Sequence, residues 1–405
     1  MKINFSPPFV DNDVINEVVD SLSSGWITSG PKVKALEQEI CILGGITKSV
    51  CVNSWTSGAI LVLKWFGVKN GDEVIVPAYT YGATALAVLH CGATPVMVDI
   101  TADFTIDVTA IERAITSRTK VIMPVDFAGW PCDYSAINAL VIKDSVKNQF
   151  IAESDKQKLL KRILVISDAA HSIGALYKSS QVGRLTDLTI FSFHAVKNIT
   201  TAEGGAICLN LPNCFDIEEE YKLMKLWTLN GQNKDALTKS QAGGWKYDII
   251  FAGLKVNMPD ICAAIGLAQI RKYNSFLLAE RERIARLYQS FFSKHRQFEL
   301  PPLEDENRKS CFHIYALRLH SVTEEQRDLI IEEITLKGIA VNVHFIPMPM
   351  LSVFKSRGYK IEDYPVAYNN YSREISLPIY PQLTSEHIDY ICETVLSSYN
   401  KVVYD

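Results

Sequence analysis

Three short stretches of this 405-residue chain hold side chains that could act together. The first is Asn53-Ser54-Trp55-Thr56-Ser57-Gly58-Ala59, where small hydroxylated residues open a helix just after an apparent β element. Free N–H groups and the helix dipole at such a start attract phosphate, and the hydroxyls of Thr56 and Ser57 add donors. An ordinary N-cap by Asn53 or Ser54 would explain the same residues. The second is Ser167-Asp168-Ala169-Ala170-His171-Ser172-Ile173-Gly174, with a carboxylate at the end of a buried apolar run. Ligands of open α/β sheets bind at the carboxyl edge of the strands, so Asp168 points where chemistry is expected, although a helix cap is the competing reading.

The third stretch runs Phe191-Ser192-Phe193-His194-Ala195-Val196-Lys197-Asn198-Ile199-Thr200-Thr201-Ala202-Glu203-Gly204-Gly205, a strand followed by a polar loop with one lysine. A loop lysine alone is usually a solvated surface residue. In combination, an anion site, a strand-end carboxylate and an amine are the three parts needed to hold pyridoxal phosphate. They bind its phosphate, pair with its ring nitrogen and form its Schiff base. A carboxylate ~4 Å from a pyridinium, at an effective dielectric near 20, stabilises the protonated ring by roughly 4 kcal/mol before desolvation. That keeps the ring cationic at neutral pH, and a cationic ring is the electron sink that acidifies the adjacent C–H. Tyr81, in Pro77-Ala78-Tyr79-Thr80-Tyr81-Gly82, could offer an aromatic face to the ring.

The elements that must position these residues are legible as alternating patterns. Val74–Pro77, Pro95–Asp99, Val121–Val125, Ile163–Asp168 and Leu188–Phe193 are apolar runs, as strands buried on both faces require. Val14, Ile15, Val18, Val19 and Leu22 mark an amphipathic helix, and Ala59 to Phe66 another. The alternation indicates an α/β architecture around a mostly parallel sheet. From Pro259 to about Lys294 the spacing predicts one long helix, or two meeting end to end. Beyond it lie a strand near His313–Leu317, a helix opening on a Thr323/Gln326 capping box, a strand over Ala340–Phe345 and a last helix from Ser385 to about Ser398.

Composition removes other classes. Lys plus Arg number 41 against 45 Asp plus Glu, a net charge of −4, so there is no basic excess for nucleic acid. No run approaches ~18 apolar residues and the opening residues lack a secretory signal, which leaves no membrane partner and predicts a cytoplasmic location. The nine cysteines are scattered without a C-x-x-C pair, and the eight histidines show no ligand spacing, so neither disulfides nor a metal site is expected. No G-x-G-x-x-G and no complete G-x-x-x-x-G-K-[ST] is present.

The sequence resembles the pyridoxal-phosphate sugar aminotransferases of the DegT/DnrJ/EryC1/StrS family, which have the aspartate-aminotransferase-like fold, fold type I. The likeness runs from Ser24-Gly25-Trp26-Ile27-Thr28-Ser29-Gly30-Pro31, through the Asp168 and Lys197 segments and Gly253-Leu254-Lys255-Val256-Asn257-Met258-Pro259, to Ser376-Leu377-Pro378-Ile379-Tyr380-Pro381. It implies a large α/β domain over 1–255 with a mostly parallel seven-stranded sheet. Residues 256–405 would hold the long connecting helix and a smaller α+β C-terminal domain.

The resemblance also implies roles. Lys197 matches the Schiff-base lysine that later moves a proton, and Asp168 the partner of the pyridine nitrogen. His171 matches the residue beside the ring, Tyr81 the stacking aromatic, and Thr56, Ser57 and Ser192 the phosphate contacts. The family completes its site across a homodimer interface, where Lys255 or Asn257 would reach the partner's phosphate. Trp26, Thr28 and His344 match regions that contact a nucleotide sugar, together with a partner loop near Trp245. Departures include Gly-x-Lys-x-Asn where Gly-x-Asn-x-Arg is common, Ala202 for a usual glycine and Trp55 for a small residue. Relatives that act as 3-dehydratases have histidine in place of Lys197, so the lysine argues for transamination.

The implied activity moves an amino group from L-glutamate to a nucleotide-linked 4-keto-6-deoxy sugar, with pyridoxamine phosphate between the two half-reactions. The segments look most like members acting on UDP-4-keto-6-deoxy-N-acetylhexosamines in polysaccharide or capsule assembly. A keto-cyclitol aminotransferase and a cofactor-binding regulator without turnover are the alternatives.

Overall fold

The computed structural model describes residues 1–233 and 246–404. Trp245 lies outside the described residues. Seven strands build the main sheet: β1 Lys48–Val52, β2 Glu73–Pro77, β3 Thr94–Val98, β4 Thr119–Ile122, β5 Leu164–Asp168, β6 Leu188–Ser192 and β7 Gly205–Leu209. Their order is β1-β7-β6-β5-β4-β2-β3. β7 pairs antiparallel with both β1 and β6, whereas β2–β3, β2–β4, β4–β5 and β5–β6 are parallel. The fold is therefore the α/β architecture with a mostly parallel seven-stranded sheet that the sequence pattern and the resemblance indicate.

The principal helices are α1 Asn12–Ser23, α2 Pro31–Gly44, α3 Trp55–Trp65, α4 Ala83–His90, α5 Asp260–Ile270, α6 Leu278–Phe292, α7 Glu324–Leu336 and α8 Ser385–Tyr404. Helices cover both faces of the main sheet, which is why its strands are continuous apolar runs. Ile190 and Ile207 pack in one core with Leu61 and Val62 of α3. Their strand neighbours Phe191 and Ala206 point the other way, into a second core with Leu36 of α2 and Leu267 of α5. Each such fully buried aliphatic side chain stabilises the fold by about 1.5–3 kcal/mol.

The apolar stretch after Pro259 forms two helices, α5 and α6, joined by a π turn over Tyr273–Leu277. Tyr273 is fully buried there and its hydroxyl donates to the Ile173 carbonyl at 2.6 Å. A small antiparallel sheet comes next, β8 Phe298–Glu299, β9 Tyr315–Leu319 and β10 Glu374–Leu377, in the order β8-β9-β10. Its core packs against α6, α7 and α8. Thr323 and Gln326 form the capping box of α7. The strand expected over Ala340–Phe345 is not formed; a single bridge joins Asn342 to Ser376. The main chain is diverted there, since the His344 N–H donates to the Glu374 carboxylate and its carbonyl accepts from the Tyr79 hydroxyl.

α1 departs from a simple amphipathic helix. Val14 is buried, but Ile15, Val19 and Leu22 are each more than half exposed, as is Ile27 just beyond.

Candidate active site

The segments leaving the carboxyl ends of β2, β5 and β6 converge on a cavity of about 480 Å³. Thr56, Tyr81, Asp168, His171, Ser192, Lys197 and His344 all line it. The parallel sheet brings the first six of these residues to one edge because its βα turns emerge there, and His344 reaches the same cavity from the chain that bridges to Ser376 of the small sheet.

Asp168 is the last residue of β5. Its N–H donates to the Pro124 carbonyl at 2.9 Å and its own carbonyl accepts from the Asp126 N–H at 3.1 Å, so the chain beyond β4 clamps it on both sides. The Thr84 hydroxyl donates to Oδ2 at 2.8 Å and the Ala170 N–H to Oδ1 at 3.2 Å. Burial lifts its pKa to about 7, against the opposing pull of these donors and of Lys197. A cation placed against it would draw it back to the carboxylate.

Lys197 sits in the turn after β6, closed by its N–H donating to the His194 carbonyl at 2.9 Å. The next residue pins that turn: the Asn198 amide donates to the Cys311 carbonyl at 2.8 Å and its oxygen pairs with His313 Nδ1 at 2.9 Å. Burial lowers the Lys197 amine to about 8, with Asp168 opposing. Near neutral pH such an amine is deprotonated far more often than an ordinary lysine. Neutral amine is the form that attacks carbonyls and accepts protons.

Ser54, rather than Asn53, caps α3, its Oγ accepting from the Ser57 N–H at 3.1 Å. Ser54, Trp55 and Thr56 line the cavity, while Ser57 does not; its hydroxyl lies 2.8 Å from Ser54 Oγ. The capping and anion-binding readings of this stretch are thus compatible, because the cap leaves the Thr56 end of the turn facing the cavity. Ser192 closes the other side, its Oγ accepting from the His194 N–H at 3.4 Å. β7 passes directly beneath: a Cβ on Gly205 would stand 2.8 Å from the Phe191 carbonyl oxygen and 2.9 Å from the Trp55 nitrogen. Ala202, in the loop between Lys197 and β7, is held at φ +66°.

His171 is buried and accepts from the Ala128 N–H at 3.3 Å through Nδ1, so the ring is neutral with its proton on Nε2. Burial first, then Lys197 and His344, holds it well below the usual histidine range. Its ring stacks on Phe345 at 5.8 Å and lies 4.5 Å from His313. Tyr81, 66% exposed, stands at the mouth against Phe345 at 5.9 Å. His344 stacks on Phe5 at 5.5 Å, and burial pushes its pKa down to about 3, with Lys197 adding to the effect.

Trp26, Thr28, Lys255 and Asn257 do not line the cavity. They form a second cluster around the start of α2. Asn257 donates to Ser29 Oγ at 2.7 Å and accepts from the Lys255 amine. The Thr28 carbonyl accepts from the Asp260 N–H at 3.2 Å, and the Asp260 carboxylate in turn accepts from the N–H groups of Gly30, Lys32 and Val33. The Trp26 indole packs over Gly30 in the space a Cβ would fill.

Thr84, His313, Phe345, Glu374 and Ser376 are part of the site's structure and do not stand out in the sequence. Thr84 had a signal: Thr80 and Thr84, one helical turn apart after a strand end, bring their hydroxyls to 3.2 Å. His313 had none. Among the described residues no group of three or more His, Cys, Asp or Glu is placed to hold a metal ion.

The donor set fits pyridoxal phosphate. A capped helix start with hydroxyls suits the phosphate, a buried carboxyl with two fixed donors suits the ring nitrogen, and an amine of lowered pKa suits the Schiff base. The solved structure of Spr1654 from Streptococcus pneumoniae, described as a candidate sugar aminotransferase, in its PMP form is 44% identical with a TM-score of 0.95, over 99% of this chain and 100% of its own. A PLP form of the same protein has also been solved. Helicobacter pylori PseC, an aminotransferase of pseudoaminic acid biosynthesis, is 28% identical with a TM-score of 0.87 over 99% of this chain and 100% of its own. The spore coat polysaccharide biosynthesis protein SpsC of Bacillus subtilis is 35% identical over 399 residues, 96% of this chain and 95% of its own. Residues 8–396 match the model of the DegT/DnrJ/EryC1/StrS aminotransferase family, and the chain belongs to that family as a transaminase that uses pyridoxal phosphate.

Proposed function

We propose that this protein transfers an amino group from L-glutamate to the ketone of a nucleotide-linked 4-keto-6-deoxy sugar, with a UDP-4-keto-6-deoxy-N-acetylhexosamine as the preferred acceptor, in the assembly of a surface polysaccharide. The relatives support the class of substrate. Spr1654 is described as a candidate sugar aminotransferase, PseC serves pseudoaminic acid biosynthesis and SpsC spore coat polysaccharide biosynthesis. The observation that carries the reading is that Lys197, with its amine near pKa 8, and Asp168 face one cavity.

Pyridoxal phosphate, when bound, supplies the electron sink that makes the C–H beside the transferred nitrogen acidic. Asp168 holds the ring-nitrogen proton, with Thr84 and Ala170 fixing its two oxygens. Lys197 would hold the cofactor through its amine, and that amine would serve as the base that moves a proton at the reacting carbon. His171 packs beside the ring as a neutral imidazole, so it adds no charge that would compete with Asp168. Tyr81 covers the ring. Thr56 and Ser192 bind the phosphate at the start of α3, with Ser57 bracing the Ser54 cap. Neutral His344 meets the sugar substrate.

The working unit is a homodimer. Ile15, Val19, Leu22 and Ile27 form an exposed apolar face that a second copy would cover. The cluster of Trp26, Thr28, Lys255 and Asn257, apart from this chain's own cavity, would then complete the partner's site, with Lys255 or Asn257 at its phosphate. The location is the cytoplasm. The nine cysteines are all unpaired, in keeping with a reducing compartment, and among the described residues no helix is long and apolar enough to cross a membrane.

The first test is an absorbance spectrum of purified protein loaded with pyridoxal phosphate, before and after L-glutamate without sugar. The visible-edge band of the lysine-linked cofactor should collapse to the band of its amine form. Lys197→Ala should lose that band and at least ~10²–10⁴ of the rate while remaining a folded dimer. A Lys197→Ala protein that still turns over would remove the mechanism. A panel of nucleotide-linked keto sugars and keto-cyclitols, with glutamate, then identifies the acceptor; turnover with none of them would leave a cofactor-binding regulator.

A further inference from the structure

Glu374 and Ser376 alternate along β10 with Ile375 and Leu377, which point into the small domain's core. The period of two sends Glu374 and Ser376 to the opposite face, toward His344. Glu374 is fully buried, and its two oxygens are both used: Oε2 accepts from the His344 N–H at 3.0 Å and Oε1 accepts from the Ser376 hydroxyl. Ser376 Oγ in turn lies 2.8 Å from His344 Nδ1. Nε2 of that ring has no partner among the described residues, and His344 lines the cavity.

A hydroxyl has one hydrogen, and this fixes the logic of the chain. With Glu374 ionised, Ser376 must give its hydrogen to the carboxylate, so His344 donates Nδ1–H to Ser376 and presents a bare Nε2 lone pair to the cavity. With Glu374 protonated, the carboxyl donates to Ser376, Ser376 donates to Nδ1, and the ring proton stands on Nε2. The proton balance closes. A proton arriving at Nε2 displaces the one on Nδ1 to Ser376 Oγ, whose own proton passes to Glu374 Oε1.

We propose that Glu374, acting through Ser376, is a positioning residue that sets the tautomer of His344 and so decides whether its cavity nitrogen accepts or donates a hydrogen bond. The inference rests on the reading of His344 as a substrate contact. An acceptor nitrogen suits a sugar hydroxyl or an ammonium; a donor nitrogen suits a keto or phosphate oxygen. Burial places the carboxyl near its midpoint at ordinary pH, its pKa raised to about 8. The charged and titratable groups around it are known. Arg327 donates to the Glu374 carbonyl at 3.0 Å, Arg318 is paired to Glu299, and Tyr79 donates to the His344 carbonyl. Lys197, His171 and His313 face the cavity. The Ser376 hydroxyl and the His344 N–H, and after them Arg327 and Arg318, hold the carboxyl below where burial alone would put it.

The test is histidine ¹⁵N NMR on the deuterated, pyridoxal-phosphate-loaded protein without substrate, with His344 assigned from its absence in His344→Gln. Wild type should shift from mainly Nε2–H at pH 6.5 to mainly Nδ1–H at pH 9. Glu374→Gln, whose amide donates to Ser376 while its oxygen accepts from the His344 N–H, should stay Nε2–H at both. Ser376→Ala, which removes only the link, should abolish the pH response. A wild-type ring with the same tautomer at both pH values, or an unchanged response in Ser376→Ala, would overturn the proposal. Addition of L-glutamate to the same samples reads the cofactor band separately, so loss of transamination and loss of tautomer control are distinguished.

Discussion

The Thr84 hydroxyl, in the first turn of α4, donates to Asp168 Oδ2 at 2.8 Å across 84 positions of sequence. The bond ties the helix that follows β2 to the end of β5, and with the Ala170 N–H it gives each carboxylate oxygen a donor. Hydrogen bonds to charged groups contribute about 1.5–3 kcal/mol. Thr84→Val, which keeps the shape and removes the donor, should therefore weaken pyridoxal phosphate binding by ~10–100-fold in a spectroscopic titration. Thr84→Ser should restore it. Equal affinity in the valine variant would mean that Asp168 is positioned by its backbone alone.

Asp168 also gives the apoprotein a pH signature. Its pKa, near 7 in the fold against an ordinary 3.8, means that the folded state binds the proton more tightly than the unfolded chain. Stability must then fall as pH rises from about 4 to about 7, by about 4 kcal/mol in all from this group. Asp168→Asn removes that slope. The melting temperature of the apo variant minus that of wild type should increase from pH 5 to pH 7 and level off above. A difference constant with pH would show that the carboxyl ionises in the fold without cost.

The exposed apolar face of α1 predicts its own test. Ile15→Glu with Val19→Glu places two charges where a second copy would pack, and like charges brought together across a two-fold interface repel. The double variant should sediment as a monomer with unchanged helix content. If it remains dimeric by analytical ultracentrifugation, the interface lies elsewhere.

Ala202 occupies the left-handed region at φ +66°, its N–H donating to Thr200 Oγ1 at 2.9 Å. An L-residue there costs roughly 1–2 kcal/mol that glycine avoids, partly offset by the greater freedom of glycine in the unfolded chain. Ala202→Gly should raise the denaturant midpoint by the equivalent of ~1 kcal/mol and leave the rate within about twofold. A lower midpoint would mean that the Ala202 methyl contributes packing that outweighs the strain.

Asp168, Lys197 and the start of α3 were legible because each ends or follows a short, largely apolar strand, and strand ends in a parallel sheet share one edge. What local pattern could not convey was approach between distant segments. Glu374 lies in a strand that does not stand out in the sequence, and nothing nearby announces that its carboxylate will serve His344. The same long-range bond explains why Ala340–Phe345, with a β-like composition, does not pair as a strand. Ser57 reads as an equal of Thr56 in sequence, but one step around the helix turns it toward Ser54 and away from the cavity. On α1, the apolar stripe showed correctly where greasy residues fall but not which of them this chain buries itself.

At Gly205 the gap between the strand that ends in Ser192 and the turn that opens α3 is set by a methyl group that is absent. A Cβ would press on the carbonyl of one and the amide of the other, so no single rotamer change nearby could make room. Position 205 is thereby closed to mutational drift, even though its neighbour Ala206 touches no ligand-facing surface and could exchange for other small residues. On the proposed roles, descendants of this sequence could change the sugar they accept by altering the mouth around Tyr81 and His344. They would inherit the spacing beneath the start of α3 unaltered.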